Sequence, residues 1–371
     1  MKKNILILGA FGGVGQAFLL RVKPYRRWFH GVILIDRKNG DMPFPATIIP
    51  GWINITARKK EYLLLLRKYA IDIVVDLTYV DTIPILMATN TAGVSYVNTA
   101  LCDHKKISSD LVFYLYPKRK SIYRASHILC SGMNPGVVNM LVQQGIEKYG
   151  VPESIIHFEY DTSYLPRARK PMITWSPHEF LAEAIQDPGG IVLGRNKVQL
   201  LYPNALENRV SLCEVLQPIC SLSQYPEAMP VLHDENLTLA QKYNIPSQFL
   251  YAIHPKTMKT LLTVYKKKKK PTPDDFVLGD NITHRLRGTD MIGVLLIYRD
   301  KKVYYLNTVV NKNIQGTNAT YFQVSIGVTA ALHALLFDKI KKGVHFVEDL
   351  QAPHYRKYVF EHLDIKEYWV S

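Results

Sequence analysis

Asn4 to Leu8 (NILIL) is an unbroken apolar run, followed at once by Gly9-Ala10-Phe11-Gly12-Gly13-Val14-Gly15. A short continuous run beside a glycine turn reads as a strand buried on both faces, the kind that parallel sheets use. A helix then starts near Gln16 (QAFLLRV), and a second apolar strand, Val32 to Ile35, ends in Asp36. The rhythm continues through a helix at Lys59–Tyr69, a strand at Ile71–Asp76, a helix at Pro84–Ala92 and a strand at Ser95–Asn98. One more helix–strand pair ends in Ile128-Leu129-Cys130. Strands alternating with helices predict an α/β domain, a Rossmann-type parallel sheet whose ligands lie at the C-terminal strand ends.

The pattern changes after that. Gly132-Met133-Asn134-Pro135-Gly136 leads into a helix from Pro135 to about Tyr149, with Asn134 as its N-cap. A strand at Ile155–Tyr160 carries Glu159. In Ile173–Pro188 (ITWSPHEFLAEAIQDP), Ser176, Pro177 and Glu179 form a helix-start signature, and Pro188-Gly189-Gly190 is the stop. An irregular, proline-bearing stretch follows, then His233-Asp234-Glu235 before a short helix, and Tyr251-Ala252-Ile253-His254-Pro255 at the opening of another. Met291–Tyr298 and Val303–Val310 predict an antiparallel hairpin. This looser order predicts a second, α+β domain. Near the end, Asn318–Lys342 reads as a helix stopped by Gly343, placed in a core because Gln323, His333 and Asp338 interrupt it. The expected division is 1–134 with 317–371 packing back on it, and 135–316 as substrate domain.

Composition narrows the class. The chain has 371 residues, 47% hydrophobic and 21% charged, with no apolar run long enough for a membrane span, so a soluble two-domain protein is expected. The first residues, MKKNILILGAFGGVG, imitate a secretory signal but lack a small-residue cleavage site. Cys102, Cys130, Cys213 and Cys220 show neither CxxC nor Cys/His spacing, which predicts reduced thiols, a cytoplasmic location and no metal. The formal charge of +15 invites a nucleic-acid partner, but the basic residues are spread. Only Lys266–Lys270 forms a run, and Pro271-Thr272-Pro273-Asp274-Asp275 after it reads as a solvated loop. No nucleic-acid or membrane partner is expected.

Two places carry candidate chemistry. Gly9, Gly12 and Gly15, with Gly13 and Val14 between them, let a backbone approach a pyrophosphate at a helix N-terminus. Asp36 is placed for ribose hydroxyls, which favours NAD over NADP, although Arg37 beside it suits a 2′-phosphate. Asp76 and Thr78 at one strand end, and Thr99–Asp103 at another, either face the nicotinamide or are solvated loop residues. On the Ser176 helix, Glu179 and Glu183 are four apart and share a face. Either Trp175 is a hydrophobic staple on Phe180, Glu179 closes the capping box and Glu183 is solvated, or the aromatic face and carboxylate pair receive a cationic amine.

Gly9–Gly15, SGMNPGVVNMLVQQGI, EYDT, ITWSPHEFLAEAI, LHDENLTLA, YAIHP, the MIGVLLI hairpin and NATYFQVSIGV occur in the order seen in bacterial homospermidine synthases. The chain resembles that family, within the saccharopine dehydrogenase-like oxidoreductases, over nearly its whole length. The resemblance implies an NAD-binding Rossmann domain, a second α+β domain that also mediates homodimerisation, and a borrowed-hydride reaction. In that reaction putrescine, and spermidine as a second substrate, is oxidised to an imine, exchanged with another diamine with loss of ammonia, and reduced again. It implies that Trp175 and Glu183 are the key aromatic and acid, and that Asn134, Glu159, His233 and Glu235 line the substrate pocket. Two departures bear on the substrate. Asp103, one position along, stands in for a family glutamate after VNTA, and Lys256-Thr257-Met258 follow His254-Pro255 where the family has acids. The rivals are a Schiff-base reductase of the carboxynorspermidine or saccharopine dehydrogenase type, with Arg167, Arg169 and Lys170 for a carboxylate, and a catalytically silent NAD-binding scaffold.

Overall fold

The run at residues 4–8 becomes the strand Lys3–Leu8, with Ile5, Leu6 and Ile7 wholly buried. In the computed structural model, which describes residues 2–51, 55, 57–222, 225–268, 270–278 and 285–371, this strand is an inner strand of a seven-stranded parallel sheet. The chain forms two compact units, Met1–Val137 with Phe322–His362, and Val138–Tyr321 with Leu363–Ser371.

In the first unit the strand order is Gly343–Phe346, Ser126–Leu129, Ser95–Asn98, Ile73–Asp76, Lys3–Leu8, Phe29–Asp36, Thr47–Pro50. Chain order runs outward in both directions from Lys3–Leu8. That makes its C-terminal end the topological switch point where doubly wound sheets bind ligands. Two strands escaped the sequence reading. Thr47–Pro50 is largely exposed and lacks the apolar run that marks its neighbours. Gly343–Phe346 lies where only a helix stop was expected; the helix ends earlier, at Phe337, and the chain then pairs in parallel with Ser126–Leu129. That helix, Ala319–Phe337, is long and apolar enough to cross a membrane, and 72% of its apolar window is buried inside the protein. From Phe322 onward it belongs to the first unit, where Ser131 Oγ donates to Gly327 O at 2.9 Å.

The second unit is built on a mixed sheet, ordered Lys197–Leu201, Gly189–Gly194, Ser247–Ile253, Ser154–Asp161, Thr289–Ile297, Lys302–Val310, Lys366–Val370. The expected hairpin is present as Thr289–Ile297 and Lys302–Val310. The YAI segment, read as opening a helix, is instead the end of the strand Ser247–Ile253, parallel to Ser154–Asp161. The helix starts only at Pro255, and Lys266–Lys268 form its last turn rather than a loop, where cations suit the carbonyl end of the helix. Lys269 lies outside the described residues. The final strand, Lys366–Val370, pairs with Lys302–Val310, so this part of the tail departs from the expectation that all of 317–371 packs on the nucleotide domain. Register sets up the chemistry. Glu159 lies opposite Tyr251 on one side and Ile292 on the other, and Asp161 opposite Ile253 and Asp290. Paired residues share a face, so His157, Glu159, Asp161, Phe249, Tyr251 and Asp290 all project to the same side.

Candidate active site

In the first unit, the helix Gly13–Val22 begins directly after the glycine turn, with Gly12 as N-cap. The first N–H groups of such a helix have no intrahelical acceptor and present partial positive charge to an anion. Two of the glycines, Gly9 and Gly15, are sterically required. A Cβ on Gly15 would lie 2.2 Å from Gly9 O, and one on Gly9, at φ +75°, would lie 2.6 Å from Leu77 O. Asp36 closes the cradle, its carboxylate accepting from Phe11 N at 2.7 Å and Lys38 N at 2.9 Å. Each of its oxygens keeps lone-pair capacity for a ribose hydroxyl. Turn, helix start and terminal acid fit a dinucleotide.

Asp76 is not a solvated loop acid. It is buried and accepts from Thr78 N, Thr78 Oγ1 and Tyr96 Oη at 3.1, 2.6 and 2.7 Å. Burial raises its pKa against those bonds. Asp76 and Thr78 thus bind each other and shape the strand end beside Gly9. Asp103 accepts from Lys105 N at 2.9 Å and lies 3.8 Å from Lys106 Nζ. Asn134 is not a helix N-cap: the helix starts at Val137, and a turn in which Val137 N donates to Gly132 O precedes it.

The second unit gathers the other candidates. Ser176 caps its helix as expected, accepting from Glu179 N at 3.3 Å. The helix is shorter than its signature promised. Only Pro177–Leu181 is α-helical, and Ala182–Gln186 widens into a π-turn closed by Asp187 N on Ala182 O. Such widened turns recur at functional sites. Phe180 and Leu181 are buried in an apolar cluster with Phe249 and Tyr251, and Trp175 packs against it. Trp175 meets Phe180 edge-on at 6.1 Å between centroids, so the staple exists. Its indole N–H also donates to Tyr251 Oη at 2.9 Å, which orients the ring. The preceding residue is locked as well: Thr174 Oγ1 donates to Asp161 at 2.6 Å, and Asn318 Nδ2 to Thr174 O at 2.7 Å.

Beside this aromatic group, His233 sits between two acids. Its Nδ1 bonds Glu235, and its Nε2 lies 3.5 Å from Glu183 Oε1. Burial opposes a charged ring, yet Glu235 and Glu183 outweigh it and hold His233 well above the usual imidazole range. Burial likewise opposes the Glu235 anion, but His233 keeps that carboxyl below its usual range. The trio carries two carboxylates and one cation. Half-buried Glu179 has its pKa pushed up to about 7, by burial first and then by the charge of Glu183. Tyr251 is held well above its ordinary value by burial, then by Glu159 and Asp161, so its hydroxyl stays protonated. The environment is strongly anionic within a chain of net charge +15.

Of the sequence-derived residues, Trp175, Glu183, His233 and Glu235 come together in this cluster, and Glu159 lies on the sheet face that carries Tyr251. Asn134 and Asp103 belong to the first unit. Tyr251, Asp161 and Thr174 were missed. Each acts through residues far off in sequence, 76 positions in the case of Trp175 and Tyr251, which local spacing does not reveal.

No protein-family model and no curated protein sequence matches the chain. Among solved structures it is similar to a homospermidine synthase from Legionella pneumophila in complex with NAD, at TM-score 0.81 and 16% identity, covering 100% of this chain and 92% of that one. It is also similar to the saccharopine dehydrogenase (L-Glu forming) of Saccharomyces cerevisiae, at TM-score 0.62 and 12% identity, over 100% of both chains. The fold is therefore that of the saccharopine dehydrogenase-like proteins: a Rossmann-type unit and a second unit on a mixed sheet.

Proposed function

We propose that the protein is an NAD-dependent oxidoreductase of this fold that acts on a cationic amine, and specifically a homospermidine synthase-like enzyme using putrescine. The observation that carries this reading is the Trp175–Glu183–His233–Glu235 group: an indole fixed through Tyr251, which stacks on Phe249, against which packs the His233 ring held by Glu183 and Glu235. The glycine turn, Gly13–Gly15 and Asp36 would hold the dinucleotide, which supplies a hydride acceptor and donor.

The protein's own residues supply the rest. Putrescine is doubly charged at neutral pH, and removing water from it is costly unless carboxylates replace that water. Glu183 takes one ammonium group, and it accepts the proton that must leave before the carbon can be oxidised. The Trp175 face stabilises the cationic carbon–nitrogen centre, a contribution of about 2 kcal/mol when desolvated. Glu235 keeps the His233 ring oriented and charged. Glu159, on the sheet face that carries Tyr251, adds a polar contact to the substrate. A homodimer in the cytoplasm is the expected state.

The test is product identity. Purified protein given putrescine and catalytic NAD is expected to release homospermidine and ammonia without accumulating NADH. Stoichiometric NADH without a new polyamine would instead mark a dehydrogenase of the same fold.

A further inference from the structure

We propose that Glu179 is a second acid–base group of the site, sharing one proton with Glu183 and returning it to the departing nitrogen during imine exchange. This rests on the functional reading above. The geometry starts from the helix. Glu179 and Glu183 lie one turn apart on a common face, and Glu183 in turn is 3.5 Å from His233 Nε2. The charge of Glu183 opposes ionisation of Glu179, so the pair favours one proton over none. Burial and the neighbouring charge of Glu183 hold the proton on Glu179. The value of about 7 for Glu179 agrees with this division.

The Ser176 side chain also hydrogen-bonds the Glu179 carboxyl and favours its anion, but less than burial and Glu183 oppose it. On the same segment Asp187 is raised by burial and then by Glu183, so it too is biased away from the anion. The turn Pro273–Asp275 packs against the helix, and its Asp275 is committed to Lys268 and Thr272. Tyr251, on the apolar side, stays protonated. His178 is exposed. Among the described residues facing it, Glu179 therefore meets one anion, Glu183, and one cation, His233.

The step balances without another reactant. By then the proton that Glu183 took at the oxidation step has passed to solvent, and the free amine of the second diamine attacks the carbon of the protonated imine, forming the new C–N bond. Its surplus proton passes to Glu183. The proton held by Glu179 goes to the old nitrogen, that C–N bond breaks with its electron pair leaving on ammonia, and the lone pair of the new nitrogen closes the C=N bond of the new protonated imine. The pair ends with one proton, as it began.

The experiment compares wild type with Glu179→Gln and Glu179→Asp, following homospermidine formation from pH 5 to 9. A carboxyl titration of the purified protein by isotope-edited NMR runs alongside. In wild type, one carboxyl titrates near neutrality and a limb of the kcat profile follows it. In Glu179→Gln the titration and the limb vanish and kcat falls roughly 100-fold, while KM for putrescine moves less than about threefold. Glu179→Asp restores part of the rate and the limb. Wild-type homospermidine formation with an unchanged profile in Glu179→Gln would overturn the inference alone. Absence of homospermidine from wild type would overturn the functional reading, and the inference with it.

Discussion

The indole of Trp175 is held by a hydrogen bond to Tyr251 on one edge and by Phe180 packing on another, so its exposed face is fixed before any ligand arrives. Pre-orientation of this kind spares a side chain the loss of freedom on binding. Trp175→Ala is expected to lower kcat/KM for putrescine about 30-fold, the equivalent of about 2 kcal/mol of lost cation–π attraction, and Trp175→Phe to recover part of it. Steady-state kinetics at fixed NAD checks this, and an unchanged kcat/KM in Trp175→Ala would reduce the ring to a staple. Glu179 adds a stability signature. Its pKa in the fold, about 7, lies above the ordinary carboxyl value, so the folded state binds more protons between about pH 4 and 7. Stability from this group falls as pH rises through that window. Glu179→Gln should remove that slope and unfold at a higher temperature than wild type at pH 8, by differential scanning calorimetry. At this scale sequence reached Trp175 and Glu183, because a helix-start signature sits between them. It left Glu179 to capping and solvent, because half-burial against His233 is a tertiary fact.

Elements explain which glycines matter. The helix Gly13–Val22 begins so close to the preceding strand that Gly15 has no room for a methyl group. Gly15→Ala is expected to displace the helix start and weaken NAD binding at least about tenfold by titration calorimetry, since both backbone donors and helix dipole move. A Cβ on Gly327 would lie 1.9 Å from Gly132 O, two backbones in direct contact within the first unit. Gly327→Ala should lower Tm by about 5 °C, from an overpacking cost of about 2 kcal/mol. Strands with unbroken apolar runs were legible from the chain alone, as at residues 4–8 and 32–35. Ser247–Ile253 was not, because its register with Ser154–Asp161 comes from a partner about 90 residues away, while the His-Pro after it signals a helix start. The widened turn carrying Glu183 has no local sequence mark at all.

Across the whole molecule, charge and burial pull apart. The chain is basic at +15, yet Glu183, Glu235, Glu159 and Asp161 concentrate acid in the second unit. A local field of this sign attracts amines whatever the net charge. Three histidines are buried in neutral form, with His127, His157 and His333 each lowered to about 4, by burial first. The unfolded chain binds protons at these positions below about pH 6.5, so stability falls as pH drops from there toward 4. His233 runs the other way: its contribution is complete below about pH 6.5 and is lost only as pH rises through its elevated folded value. Thermal unfolding should therefore shift down between pH 6.5 and 4, and replacing His157 by Gln should flatten that shift. The two-unit plan was visible in the change from regular alternation to scattered strands. The return of the last strand to the second sheet was not, because KEYWV is short and mostly exposed at an edge.

Mass spectrometry of the products formed from putrescine with catalytic NAD tests the central claim most directly. Homospermidine and ammonia, with no NADH left over, are the predicted result. Verified NAD binding with no new polyamine would contradict it.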